Sequence, residues 1–104
     1  MNRFCFISGP VTGVENYLEN FHAAESEVKA LGFEPINPLL LSEPYLAKGI
    51  DLGYDGWLHL DLSLLDLCDS IYLLRGHERS DGSLVEQHHA KLQGKQFFYQ
   101  SDAP

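Results

Sequence analysis

DSIYLLRGHERSDGSLVEQHHAKLQGKQFFY, residues 69–99, is the stretch whose reading decides the fold. Ile71-Tyr72-Leu73-Leu74 is a short continuous apolar run, the pattern of a strand buried on both faces. A polar loop, Arg75 to Ser80, leads through Asp81-Gly82 into a helix over about residues 83–93. Gly94 suits the residue just past a helix end, and Gln96 to Tyr99 form a last strand. Strand, helix and strand in succession imply parallel neighbours with the helix laid across them.

The same alternation extends toward the N-terminus. Phe4 to Ile7 is an apolar strand that ends in the turn formers Ser8-Gly9-Pro10-Val11-Thr12-Gly13. A helix over about residues 15–31 follows, with Leu18, Phe21, Ala24, Val28 and Leu31 at spacings of three and four. Gly32 caps it, and Phe33-Glu34-Pro35-Ile36 is a short strand whose proline implies an edge. Residues 37–56 carry Pro38, Pro44, Gly49, Gly53 and Gly56 without a clean period, and read as a long connection of the lid or binding-loop kind. From Trp57 to Cys68 the helical period returns, with Trp57, Leu60, Leu64 and Leu67 as its stripe and Asp61, Leu65 and Cys68 on the flank. The expectation is one α/β domain over residues 1–104, a parallel sheet sandwiched between helices, with a loose tail from Gln100 to Pro104.

Bulk composition narrows the partners. The 104 residues are 44% hydrophobic and 21% charged, enough for one domain with a real core, and small enough that a dimer would add useful apolar burial. Fifteen acidic against seven basic side chains give a net charge of -8, which argues against a nucleic-acid polymer as partner. A mononucleotide is compatible, because backbone N–H groups at a loop and helix start can hold one phosphate. Cys5 and Cys68 lie in apolar runs without CxxC spacing and read as buried free thiols of a reducing cytosol. No basic segment precedes a long apolar one and no stretch has transmembrane length, so a soluble cytoplasmic protein without a membrane partner is expected.

In an open parallel sheet, ligands bind at the carboxyl ends of the strands, where strand order reverses. The helix holding Asp61 must run antiparallel to the strand after it, so Asp61, one turn in, falls near that edge and points partly toward the core. Glu86, four residues after Gly82, falls near the start of the next helix, where the partial positive charge favours an ionised carboxylate and suits a nucleophile. Singly, each has an ordinary reading, Asp61 as a solvated or capping residue and Glu86 as a dipole-favouring one. Jointly they put paired carboxylates beside a phosphate-sized loop, an arrangement able to cleave a glycosidic bond. The Ser8–Gly13 segment is neither a Walker loop nor a GxGxxG fingerprint. The five histidines lack ligand spacing and no nucleophile triad is present, so neither a metal nor another cofactor is expected.

Phe6-Ile7-Ser8-Gly9-Pro10-Val11-Thr12-Gly13, Asn37-Pro38, Trp57 with Asp61, Cys68-Asp69, Ser80-Asp81-Gly82-Ser83-Leu84-Val85-Glu86 with Ala90, and Gly94-Lys95 together carry a resemblance. The chain resembles the small, often phage-encoded branch of nucleoside 2-deoxyribosyltransferase-like proteins, and also the 2′-deoxynucleoside 5′-monophosphate N-hydrolases of that superfamily. The resemblance implies a flavodoxin-like or Rossmann-like three-layer sandwich with four to five parallel strands, commonly as a homodimer or higher homo-oligomer with sites near the subunit interface. By position Glu86 matches the nucleophile and Asp61 the assisting carboxylate. Gly9, Val11 and Gly13 match the loop around phosphate or sugar, and Ser80 and Gly82 the segment before the nucleophile. Ser80 matches an acidic position of the transferases and a phosphate-contacting serine of the hydrolases, which favours a 5′-monophosphate. Phe6 stands at a substrate-site position where the family has a tyrosine, and the hydrolases' arginine near Thr12 is missing; Lys48, Arg75 and Arg79 are the candidate replacements. The leading expectation is N-glycosidic cleavage or deoxyribosyl transfer on a small nucleoside or nucleotide. A catalytically weak module that binds or sequesters nucleotides is the alternative.

Overall fold

The computed structural model describes residues 3–101. Strand β1 (Phe4–Ser8) is followed by helix α1 (Tyr17–Ala30), strand β2 (Glu34–Ile36), and helices α2 (Leu39–Ala47) and α3 (Gly53–Asp66). Strand β3 (Ser70–Leu73), a single 3-10 turn (His77–Arg79), helix α4 (Asp81–Leu92) and strand β4 (Gln96–Tyr99) complete the order. All four strands are parallel in the order β2-β1-β3-β4, with β2 on the expected edge. The three-layer α/β class therefore holds, with the four-stranded end of the expected range.

Period-two alternation sorts the strand side chains into two cores. Cys5 and Ile7 of β1, with Tyr72 and Leu74, pack against Phe21, Ala24 and Val28 of α1. Phe6, Ile71 and Leu73 point the other way, onto Leu65 of α3 and Ala90 of α4. Burial pushes the Cys5 thiol up to about 11 and the Cys68 thiol up to about 12, so both free thiols are unreactive packing groups.

Three expectations are corrected. Residues 37–56 are not an unstructured connection, because α2 occupies nine of them. Asn37 begins that helix, its Oδ1 accepting from the Leu39 amide at 3.1 Å. Three successive leucines and an internal Pro44 erase the period, and no α2 residue is buried. Second, α3 starts at Gly53 rather than near Trp57, because Asp51 Oδ1 accepts from the Gly53 amide at 2.9 Å and from Trp57 Nε1 at 2.7 Å. Asp61 therefore sits past the second turn of its helix. The inward stripe is also rotated: Leu65 is fully buried while Leu67 is 73% exposed, so Asp61 shares the inward face with Leu65, one turn away. Third, Gln100 is anchored rather than loose. Its amide donates to Leu73 O at 2.8 Å, its Oε1 accepts from the Arg75 amide at 2.9 Å, and its Nε2 donates to Glu27 at 3.2 Å. Residues 102–104 of the expected tail lie outside the described residues.

Candidate functional site

Strand order reverses between β1 and β3: the chain leaves β1 toward β2 on one side and reaches β3 on the other. The cleft at the carboxyl ends of these strands has a volume of about 610 Å³, within the range of small-molecule sites. Its floor is the loop after β1, its walls are α2, α3 and the start of α4, and Asp61 and Glu86 both line it.

Glu86 lies on the buried face of α4 with Ser83 and Ala90, at spacings of three and four. Ala90 is small enough for that face to lie close on the sheet, and Asp66 ties α3 to α4 by meeting His89 Nε2 at 2.6 Å and Gln93 Nε2 at 2.9 Å. One turn nearer the cleft, Asp61 and Glu86 consequently hydrogen-bond to each other. Ser8, the last residue of β1, donates from Oγ to Glu86 Oε1 at 2.6 Å and lies 2.7 Å from Ser83 Oγ. Gln87 Nε2 donates to Ser83 Oγ at 3.1 Å.

The electrostatics differ from the simple helix-start picture. Glu86 lies in the second turn of α4, beyond the reach of most of the helix dipole. It is only 6% exposed, and burial lifts its carboxyl well above the ordinary range, opposed by the Ser8 hydrogen bond and reinforced by Asp61. Burial likewise pushes Asp61 up to about 6, with the hydrogen bond to Glu86 acting downward. The two carboxyls titrate together, sharing a proton that burial retains above the ordinary carboxylate range.

At the start of α4, Ser80 adopts an extended backbone and its Oγ accepts from the Ser83 amide at 3.2 Å. The hydroxyl proton remains available, and the Asp81 and Gly82 amides have no carbonyl partner within the helix. Arg79 lines the same end of the cleft, whereas Lys48 and Arg75 do not line it; Arg75 Nε turns to Gln100 at 3.4 Å. Gly9 must be glycine for a packing reason, since a Cβ there would lie 2.7 Å from Leu74 Cβ.

Of the eight residues singled out from the sequence, Asp61, Glu86, Gly9, Val11, Ser80 and Gly82 line this one cleft. Phe6 does not: it is fully buried against Leu65, Ile71 and Ala90, two positions short of the strand's carboxyl end. Gly13 is also outside the lining, at the far end of its loop with φ +79°. Sequence reasoning missed Ser8 and Ser83 as partners of Glu86. Ser8 had one usable signal, being the single hydroxyl on an apolar strand and two residues along the same face from Phe6. It also missed the α2 wall and the link across it from Tyr17 Oη to Glu43 at 2.7 Å. Among the described residues, no three His, Cys, Asp or Glu side chains converge as metal ligands. None of the described helices is long and apolar enough to cross a membrane.

The family described as a domain of unknown function, DUF4406, matches residues 4–99. The chain belongs to the DUF4406 family. No curated protein matches the sequence. Among solved structures, the 2-desoxiribosyltransferase from Leishmania mexicana is similar to this DUF4406 chain with a TM-score of 0.67 and 20% sequence identity. The match covers 97% of this chain and 65% of that one, so the DUF4406 chain spans about two-thirds of that protein's length. The fold expected from the alternation of strands and helices and from the resemblance is thus present: a flavodoxin-like parallel sheet, shared with that deoxyribosyltransferase structure.

Proposed function

We propose that this protein breaks the N-glycosidic bond of a deoxynucleoside 5′-monophosphate, passing the sugar to water or to a second base. The observation that supports this reading best is the Asp61–Glu86 pair in the cleft, two hydrogen-bonded carboxyls both raised by burial and able to share one proton. A glycosidic bond needs a nucleophile and a proton source together. Glu86 attacks C1′ as its carboxylate, the C1′–N bond breaks, and its electron pair leaves with the base, which takes up a proton from Asp61 or solvent. Water or another base then attacks C1′ and frees Glu86. The phosphate sits at the start of α4, on the Asp81 and Gly82 amides, the Ser80 hydroxyl and Arg79. The base lies among the apolar side chains of α2 and α3, including Leu46 and Trp57.

The reduced thiols fit a cytoplasmic protein. The exposed Leu40, Ile50, Leu52 and Tyr54 of α2 and the adjoining chain fit a homo-oligomer, which sedimentation at micromolar concentration checks. Incubation with each deoxynucleoside monophosphate is expected to release free base, and Glu86→Ala to abolish the release. Absence of release from every candidate overturns the enzymatic reading. One observation favours a second reading, nucleotide binding without turnover: the burial that lifts the Glu86 carboxyl works against the ionised form a nucleophile needs. Thermal stabilisation by a monophosphate with no base released is the result that reading expects.

A further inference from the structure

Phe6 brings no hydroxyl to Glu86, yet the Glu86 carboxylate has a donor. We propose that Ser8 is the positioning residue for Glu86, and that Ser83 and Gln87 polarise it through a hydrogen-bond relay that favours the ionised carboxylate. The kinetic part of this inference rests on Glu86 being the nucleophile; the relay itself does not.

The direction of the relay follows from the donors and acceptors available. Gln87 Nε2 can only donate, and it lies 3.1 Å from Ser83 Oγ and 3.3 Å from His77 Nδ1. His77 turns its other ring nitrogen, Nε2, to Glu78 at 3.5 Å, which places the ring proton there and leaves Nδ1 to accept, so the two Gln87 hydrogens serve these two acceptors. Ser8 has one proton, and at 2.6 Å it goes to Glu86 Oε1. Ser8 must therefore accept across the 2.7 Å contact, and Ser83 must donate there. Every hydrogen then runs the same way, from Gln87 through Ser83 and Ser8 to Glu86. Such chains strengthen each member, and this one ends on the atom that carries the charge.

Protonating Glu86 weakens the sequence. A proton on Oε1 would force Ser8 and Ser83 to reverse, and a proton on the other oxygen, shared with Asp61, leaves Oε1 a neutral carbonyl oxygen that accepts from Ser8 less strongly than a carboxylate does. In either case the relay loses strength, so it opposes protonation of Glu86. Ser8, Ser83 and Glu86 are all buried, which keeps water from making up the loss. A relay fixed at three points also holds the carboxylate in one orientation, with Oε1 committed to Ser8.

The charged groups sharing the cleft with Glu86 are Asp61 of α3, Asp81 of α4, Arg79, Glu43 of α2 and Asp51 ahead of α3. Substitution at 8 or 87 leaves all of them in place, so a changed Glu86 titration reads the hydrogen bonds. The experiment follows the Glu86 side-chain carboxyl by carbon-13 NMR against pH in the wild type, Ser8→Ala, Ser8→Thr and Gln87→Ala. The expected midpoint rises by about one to two pH units in Ser8→Ala, by less in Gln87→Ala, and returns toward wild type in Ser8→Thr. If Ser8→Ala fails to fold, Gln87→Ala, which only trims a half-buried side chain, decides the matter. An unmoved midpoint in folded Gln87→Ala overturns the relay. Where base release is measurable, Ser8→Ala is expected to lower kcat by about 10–100-fold with KM nearly unchanged and the acid limb of kcat moved upward. Unchanged kcat overturns the positioning role. Absence of turnover in the wild type removes the nucleophile reading alone, and the titration still decides the relay.

Discussion

Replacing Asp61 by asparagine should make the protein more stable at pH 8 while abolishing the proposed base release. In the folded state, burial raises the Asp61 carboxyl from 3.8 to about 6. Below pH 4 the group is protonated both folded and unfolded, and it contributes no penalty. As pH rises from about 4 to 6 the unfolded chain releases a proton that the folded chain still holds, so stability falls across that window and levels off above it. The shift corresponds to about 3 kcal/mol on the plateau. Asparagine does not titrate, and its amide can donate to the Glu86 carboxylate where a second carboxylate would repel it. For a domain of this size about 2–3 kcal/mol moves Tm by about 8–20 °C. Thermal melts of both proteins from pH 4 to 8 are expected to coincide at the acid end and separate progressively, with Asp61→Asn the higher. Parallel curves, or a variant less stable at pH 8, refute the argument that desolvation dominates this pair.

The start of α4 gives two further expectations. Arg79→Ala combined with Ser80→Ala should weaken a deoxynucleoside monophosphate by at least about tenfold while leaving the matching nucleoside within about twofold, measured by titration calorimetry. Ser80→Ala also removes a helix cap, so a stability loss of about 1 kcal/mol accompanies it. Gly82→Ala tests the same seat from the opposite side. A Cβ there would meet nothing closer than Tyr54 Oη at 3.9 Å, so the variant should be equally stable or gain about 0.5 kcal/mol. Its methyl group nevertheless stands over the helix-start amides, and monophosphate affinity should fall; unchanged affinity would place the phosphate elsewhere.

The sequence made the sheet legible because its central strands are short apolar runs set between turn formers, and because α1 and α4 keep one inward face. Asp61 and Glu86 were legible through topology, since both precede or follow β3 on the side where strand order reverses. What escaped has a common physical cause. The leucines of α2 follow no helical period and none of its residues is buried, so no pattern distinguishes it from a loop. In α3 and its C-cap, leucines at 58, 60, 62, 64, 65 and 67 make two stripes look alike, and packing against Ile71 and Ala90 selects the one holding Leu65. The start of α3 depends on Asp51, whose carboxylate accepts from the Gly53 amide and from Trp57 Nε1 across the turn ahead of the helix. Ser8 acquires its meaning from Ser83 and Glu86, 75 and 78 positions away in the chain. A turn-forming residue at a strand end carries no local mark of such a contact.

The charge balance of the cleft separates catalysis from simple capture. Five carboxyls, those of Glu43, Asp51, Asp61, Asp81 and Glu86, share it with one arginine, Arg79. Such a lining opposes an anionic ligand, and Arg79 with the neutral amides and hydroxyls of the lining, Ser80 among them, favours one. A pocket that only held a nucleotide would gain from losing the buried pair: α3 and α4 could close over leucine and alanine with more stability and less repulsion. Holding two carboxyls in contact is costly when one is buried and the other largely desolvated, and the arrangement produces one thing that apolar residues do not, a proton shared between two carboxyls above the ordinary carboxylate range. Affinity and turnover must therefore move in opposite directions in Asp61→Asn if the pair is catalytic, with tighter monophosphate binding and base release lost. If binding is the whole function, the same substitution tightens the complex and nothing else is lost.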